Sequence, residues 1–380
     1  MYSGGAIMPL IDKFYNNRKI NYYINTHEQN CGHSATGYAK SLGKPGIVIT
    51  TSGPGLTNCI TPMLDAQTDS TPLIVISGQV SLKSIGTDAF QEAPSVQLTK
   101  PFTKWSHLVT SIDELDETIN KAFNIAMSGK KGVVHLDIPK CVLTDTITLR
   151  QLETNRKFIE LIKIQKETQK EKEAKQEPYG IVFDDPYYEG NYYNIDKVAD
   201  VINSSKKPIL YIGQGCLHAK EELNEFIQNT WIPVTTTIHA KGIINDYNLL
   251  SLNWCGMHGS PAANYALQEA DCIICIGARF DDRTTGNPDK YAPNAKKNKK
   301  IIHIDIEEKQ FNKSIKSNLN LVSDSQDFLK YMIKRVPSKV STDKWIERIT
   351  DLIQTHPFKN IKPKLNSINT AMVIKSINCV

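Results

Sequence analysis

The chain has 380 residues, 40% of them apolar and 22% charged, with 45 Lys and Arg against 40 Asp and Glu for a net charge of +5. At about 150 residues per domain this predicts two or three domains, each large enough to bury a core, and the composition excludes a disordered or collagen-like chain. The small, dispersed positive excess offers no basic face for nucleic acid, no apolar run approaches the roughly 20 residues of a membrane helix, and eight cysteines are too sparse for a disulfide scaffold.

The opening MYSGGAIMPL has neither the basic start and long apolar run of a signal peptide nor the Arg-rich, Ser-rich character of a transit peptide, so the expected compartment is the cytoplasm. NYYIN (21–25) reads as a strand, followed by His27-Glu28-Gln29 and the helix CGHSATGYAKSL. GIVITTS (46–52) predicts a strand, GPG a turn, and a helix starts near Leu56; PLIVISG (72–78) and VVHLDIPK (133–140) predict two more buried strands. Strands separated by helices predict a parallel sheet in an α/β domain covering residues 1–145. Residues 146–190 read as a charged linker, because RKFIELIKIQKETQKEKEAKQEP (156–178) loses its apolar face half-way.

A second α/β pattern follows over residues 191–345. KPILYIGQG (207–215), VTTTIHAKG (234–242), CIICIGARFDD (272–282) and KIIHIDIE (300–307) predict its strands, so the fold class is α/β with two doubly wound parallel-sheet domains. Cys272 and Cys275 form a CxxC inside a strand. Positions three apart on a strand point to opposite faces, and no second pair completes a zinc site, so both are read as core residues and no metal ligands are assigned. Residues 346–380, ending AMVIKSINCV, read as a linker and the stub of a further domain.

Three features carry chemistry. Glu28 is placed where a strand gives way to a helix, the position at which α/β folds hold ligands; buried there, a carboxyl can share a proton with a ligand nitrogen, whereas exposed it only complements the helix dipole. The turn Thr51-Ser52-Gly53-Pro54-Gly55 is neither a Walker A loop nor a GxGxxG, but can admit an anion or a flat ring to the backbone. The strand ends Gly213-Gln214-Gly215, Gly277-Ala278-Arg279 and His303-Ile304-Asp305 suit either a dinucleotide or tight turns with surface charge.

Taken together, HEQNCGHSATGYAKSLGKPGIVITTSGPGLTN (27–58), GQVSLKSIGTDAFQE (78–92) and CGMHGSPAANYALQEADCIICIGARFDDRTTGN (255–287) strongly resemble the acetolactate (acetohydroxyacid) synthase large subunit, a thiamine diphosphate-dependent family. The resemblance implies a pyrimidine-binding domain followed by a central FAD-binding-type domain, with the first strand and helix of the former missing. It implies pyruvate and a second 2-ketoacid as substrates, thiamine diphosphate, FAD and Mg²⁺ as cofactors, and a homo-oligomer or a partner chain that completes the site. By motif, Glu28 matches the carboxyl that bonds N1′ of the aminopyrimidine, with Pro54 and Asn58 beside it. Gly5, Ala6, Phe90, Gln91 and Lys140 match residues around the reacting centre, Glu28, Gln91 and Lys140 being the catalytic set. Arg283 matches the arginine for the second ketoacid's carboxylate, a task suited to its planar fork. For FAD the matches are Lys130, Gly213, Gly215, Thr237, Met257, His258, Gly277, Arg279, Asp305 and Asp324.

The sequence departs from the family pattern at Ser3, where proline is usual in the opening motif, and at Gln214, Lys130, Cys141 and Ser323. It also contains no GDG, the start of the family's Mg²⁺ and diphosphate motif. The expectation is therefore that catalysis needs a diphosphate-binding domain supplied in trans. The alternative is a non-catalytic remnant or binding module that pairs with a synthase.

Overall fold

A computed structural model describes residues 1–148 apart from 16 and 18, residues 151 and 153, residues 189–357 apart from 337, and residues 370–377. The charged stretch 156–178 lies outside the described residues. The chain divides into two compact units, Met1–Val182 and Phe183–Val380.

In the first unit four parallel strands, β1 (Gly46–Thr50), β2 (Leu73–Gln79), β3 (Trp105–Leu108) and β4 (Val133–Pro139), lie in the order β1-β2-β4-β3. Among the described residues seven helices accompany them: α1 (Met8–Tyr15), α2 (Glu28–Leu42), α3 (Pro54–Thr57), α4 (Ile60–Thr68), α5 (Ser95–Thr99), α6 (Leu115–Met127) and α7 (Lys140–Thr144). Successive strand residues serve opposite faces. Leu73, Val75 and Val133 pack with Cys31, Ala35 and Met63, while Ile74, Val134 and Leu136 pack with Ala122 and Ala126. Cys31, Ala35 and Ala39 recur at helical spacing and form the buried stripe of α2. The helix starts at Glu28 because the His27 ring accepts the Gln29 amide at 3.1 Å, and it ends at Gly43 in the left-handed region.

Among the described residues the second unit has six parallel strands, β5 (Pro208–Ile212), β6 (Val234–Thr236), β7 (Ser251–Trp254), β8 (Cys272–Ile276), β9 (Ile301–Asp305) and β10 (Leu319–Val322), in the order β10-β9-β8-β5-β6-β7. Among the described residues its helices are α8 (Glu189–Asn203), α9 (Lys220–Thr230), α10 (Pro261–Glu269), α11 (Asp282–Thr285), α12 (Pro293–Lys297), α13 (Ser325–Arg335), α14 (Asp343–Thr355) and α15 (Thr370–Ile377). Two cores cover the two faces of this sheet. Cys272 belongs to one and Cys275 to the other, as their spacing in a strand requires. Helix α14 docks by burying Trp345, whose indole N–H donates to the Pro208 carbonyl at 2.9 Å. Both units are α/β with all-parallel sheets.

Two expectations need correction. Residues 21–25 are not a strand; that segment runs alongside the N-terminus, where the Met1 amino group donates to the Tyr23 carbonyl at 2.7 Å. Strands β3, β7 and β10 were also not expected. All three are sheet edges, where one side of the backbone has no strand neighbour and the sequence needs no continuous apolar run.

Candidate active site

The carboxyl ends of β1 and β2 gather several of the first unit's matched residues. The N-terminal turn lies across them: the Ala6 amide donates to Thr51 Oγ1 at 3.4 Å, and a Cβ on Gly78 would fall 2.9 Å from the Ala6 carbonyl carbon. Gly5 has open space where its side chain would be. Glu28 is 8% exposed at the first turn of α2. Its Oε2 accepts the Asn58 amide at 3.0 Å, and its Oε1 receives no hydrogen bond from a described residue. Beneath it, the Cys59 thiol donates to the Glu28 carbonyl at 3.6 Å, and burial pushes this thiol up to about 12, so it stays protonated.

Gly53 turns the chain from β1 into α3 with φ +54° and ψ −113°. It lies directly against Gln91, which itself has a positive φ of +59°. The Gln91 loop is closed by Glu92, whose carboxylate accepts the Gly86 and Ala89 amides; these bonds hold it below the ordinary carboxylate range. Phe90, in the same loop, is 87% exposed. Lys140 leaves the end of β4, whose Pro139 is in register with Gln79, and is exposed. Lys130 lies before β4, at the opposite end of the sheet from Lys140.

Sequence reasoning missed a buried polar network behind this edge. Ser77 and Gln79 on β2 face His135 and Asp137 on β4. Ser77 Oγ lies 2.6 Å from Asp137 Oδ1 and 2.8 Å from His135 Nε2, and Gln79 Nε2 donates to Asp137 Oδ2 at 2.8 Å. The signal was present as polar residues at period two within apolar strands, in LIVISGQ and VVHLDIP. Burial pushes Asp137 up to about 6 and His135 down to about 3.

In the second unit the chain runs outward from β5 to β7, then returns to place β8 beside β5. The switch point between β5 and β8 is where open α/β sheets hold ligands. Gly213, Gly215 and Gly277 meet there: a Cβ on Gly213 would fall 2.0 Å from the Gly277 carbonyl oxygen. Close backbone packing thus explains these glycines without a ligand. The Thr237 amide donates to the Ile212 carbonyl at 2.8 Å, while its buried hydroxyl has no partner among the described residues. Asp305 is buried at the end of β9, and Asp324 caps α13 while pairing with His218 at 2.9 Å. Met257, His258 and Arg279 are exposed. Arg283 exposes 71% of its side chain. Among the described residues, no cluster of three His, Cys, Asp or Glu could hold a metal ion.

Two family models match this architecture unit by unit. Residues 1–98 match the thiamine pyrophosphate enzyme N-terminal TPP binding domain, and residues 195–332 match the thiamine pyrophosphate enzyme central domain. The chain belongs to the acetolactate synthase-like thiamine pyrophosphate enzyme family. It is 38% identical to the acetolactate synthase catalytic subunit, mitochondrial, of Saccharomyces cerevisiae over 388 aligned residues, covering all of this chain and 54% of the relative. It is 36% identical to the acetolactate synthase isozyme 1 large subunit of Escherichia coli, covering 93% of this chain and 58% of that one. An acetolactate synthase of Mycobacterium bovis is 35% identical, covering 98% and 57%. The chain thus spans little more than half the length of these thiamine-enzyme relatives. No helix among the described residues is long and apolar enough to cross a membrane.

Proposed function

We propose that this chain supplies the pyrimidine-binding and central parts of an acetolactate synthase, which decarboxylates pyruvate and joins the two-carbon unit to a second 2-ketoacid. The observation that carries this reading is Glu28: buried in the first turn of α2, tied through Oε2 to Asn58, with Oε1 left for a ligand. A carboxyl so held fits the ring nitrogen of an aminopyrimidine. Bound thiamine diphosphate supplies a carbon nucleophile and an electron sink.

The chain's own residues divide the remaining work. Glu28 holds or yields a proton at the pyrimidine nitrogen. Gly5, Ala6, Phe90, Gln91 and Lys140 line the approach for pyruvate. Arg283 binds the second ketoacid's carboxylate, for which its exposed, forked guanidinium is suited. The orphan Thr237 hydroxyl, at the carboxyl ends of β5 and β6, fits a ligand along this edge of the sheet, and FAD there would be held by Thr237, Gly213, Gly215, Gly277, Arg279, Met257, His258, Asp305 and Asp324. Lys130, at the far end of the first sheet, is proposed for FAD on its motif alone. Mg²⁺ and the diphosphate would be held by a diphosphate-binding domain outside residues 1–380.

The test is to combine the chain with such a domain from a relative, add thiamine diphosphate, Mg²⁺ and pyruvate, and assay acetolactate. Turnover that requires both pieces supports the catalytic reading. Association with a synthase but no turnover supports the non-catalytic alternative.

A further inference from the structure

Helix α5 and the loop before it carry Gln91 to the site, and their anchor is the Gln79 side chain. Gln79 Nε2 lies 2.8 Å from Asp137 Oδ2, 3.0 Å from Ser95 Oγ and 3.1 Å from the Ala93 carbonyl, while its Oε1 accepts the Val80 amide at 2.8 Å. This pattern fixes the amide's orientation: reversed, its oxygen would face a carboxylate and a carbonyl. The network is also directed. Ser77 has one proton and gives it to Asp137 Oδ1, so it accepts from His135 Nε2–H; Nδ1 is then the acceptor for Ser106 or Thr99, each at 2.9 Å. Donors therefore converge on an ionised Asp137 at the bottom of the chain of bonds.

We propose that Asp137, acting through Gln79, is the positioning residue that holds the Gln91 loop against Gly53, and that this hold weakens when Asp137 takes up a proton. Gln91 as an active-site residue rests on the function proposed above; the hold itself does not. The Gln79 bond to an ionised carboxylate is charge-assisted, roughly twice as strong as a neutral one. A protonated Asp137 must donate to Ser77 instead, which turns Ser77 toward His135 and forces that ring to its other tautomer. The partners of Asp137 from β2 and α5, Ser77, Gln79 and Ser95, are uncharged. On β3, Ser106 is uncharged and His107 is bonded to Glu114. His135 is the one other titratable member, and burial keeps it neutral. The Glu92 clasp stays ionised across the same pH range.

Hydrogen exchange of the whole chain, read as protection factors so that intrinsic rates cancel, tests this without any turnover. In the wild type, protection over residues 86–95 should fall about tenfold between pH 7 and pH 5 while α2 and β1 hold theirs. In Asp137→Asn and Gln79→Met, protection of 86–95 should already be lowered at pH 7, and the pH dependence should vanish in Asp137→Asn. Protection of 86–95 that ignores pH in the wild type, or that falls equally across the first unit, overturns the proposal. The wild-type series decides alone should either variant fail to fold. A flat exchange profile with intact acetolactate formation rejects the positioning role only, and the converse rejects only the function.

Discussion

The backbone of Gly53 sits so close to that of Gln91 that a Cβ on Gly53 would fall 2.5 Å from the Gln91 carbonyl oxygen. Both residues have positive φ, and a side chain at Gly53 would have no room beside Gln91. Gly53→Ala should therefore cost about 1–3 kcal/mol from backbone strain alone and displace Gln91. Thermal unfolding together with exchange over 86–95 checks this, and an alanine variant with wild-type stability and protection contradicts it.

Arg283 makes the opposite case. Its side chain is largely exposed, and among the described residues its one ion partner is Asp282 at 3.9 Å. Arg283→Ala should leave stability within about 0.5 kcal/mol of wild type. In an assembled synthase it should lower use of the second ketoacid at least tenfold, as loss of a bidentate charge pair implies. Competition between two ketoacid acceptors measures this, and an unchanged product ratio and rate would remove Arg283 from the site.

Asp137 and His135 give the first unit opposing pH responses. Asp137 is raised from 3.8 to about 6 in the folded chain, mainly by burial. Between those values the folded state binds more protons, so its contribution to stability grows as pH falls and is lost as pH rises through about 6. His135 is lowered from 6.5 to about 3 by burial. There the unfolded state binds the extra proton, so stability is lost as pH falls below about 6.5. Relative to Asp137→Asn, the wild type should gain at most about 3 kcal/mol on going from pH 7 to pH 4. Relative to His135→Gln it should lose stability over the same range. Denaturant unfolding at four pH values reads both differences, and parallel curves would refute them.

Much of this was legible in the sequence. Buried central strands such as CIICI and LIVIS announce themselves as apolar runs because both faces are covered. The edge strands Trp105–Leu108, Ser251–Trp254 and Leu319–Val322 carry no such run, since pairing on one side alone defines them. NYYIN has β-favouring residues, but in the structure it faces the terminus rather than a strand. Glu28 and Asn58 could be named by motif, yet only the fold reveals that one oxygen of the carboxyl is spoken for and the other is not. Glycines 213, 215 and 277 suit either a dinucleotide or tight turns in sequence, and only the fold shows that they pack on one another. Ser77, Gln79, His135 and Asp137 escaped notice because two strands far apart in sequence must pair before their polar positions meet.

The most direct test of the central claim is acetolactate formation by this chain completed with a diphosphate-binding domain, wild type against Glu28→Gln. The glutamine keeps the shape and the Asn58 bond but cannot hold or yield the proton. If Glu28 is the pyrimidine's proton partner, the variant folds, associates and loses at least about 100-fold in rate, the lower end for acid–base catalysis. A Glu28→Gln chain that turns over at the wild-type rate, or a wild-type chain that never forms acetolactate in the completed assembly, would contradict it.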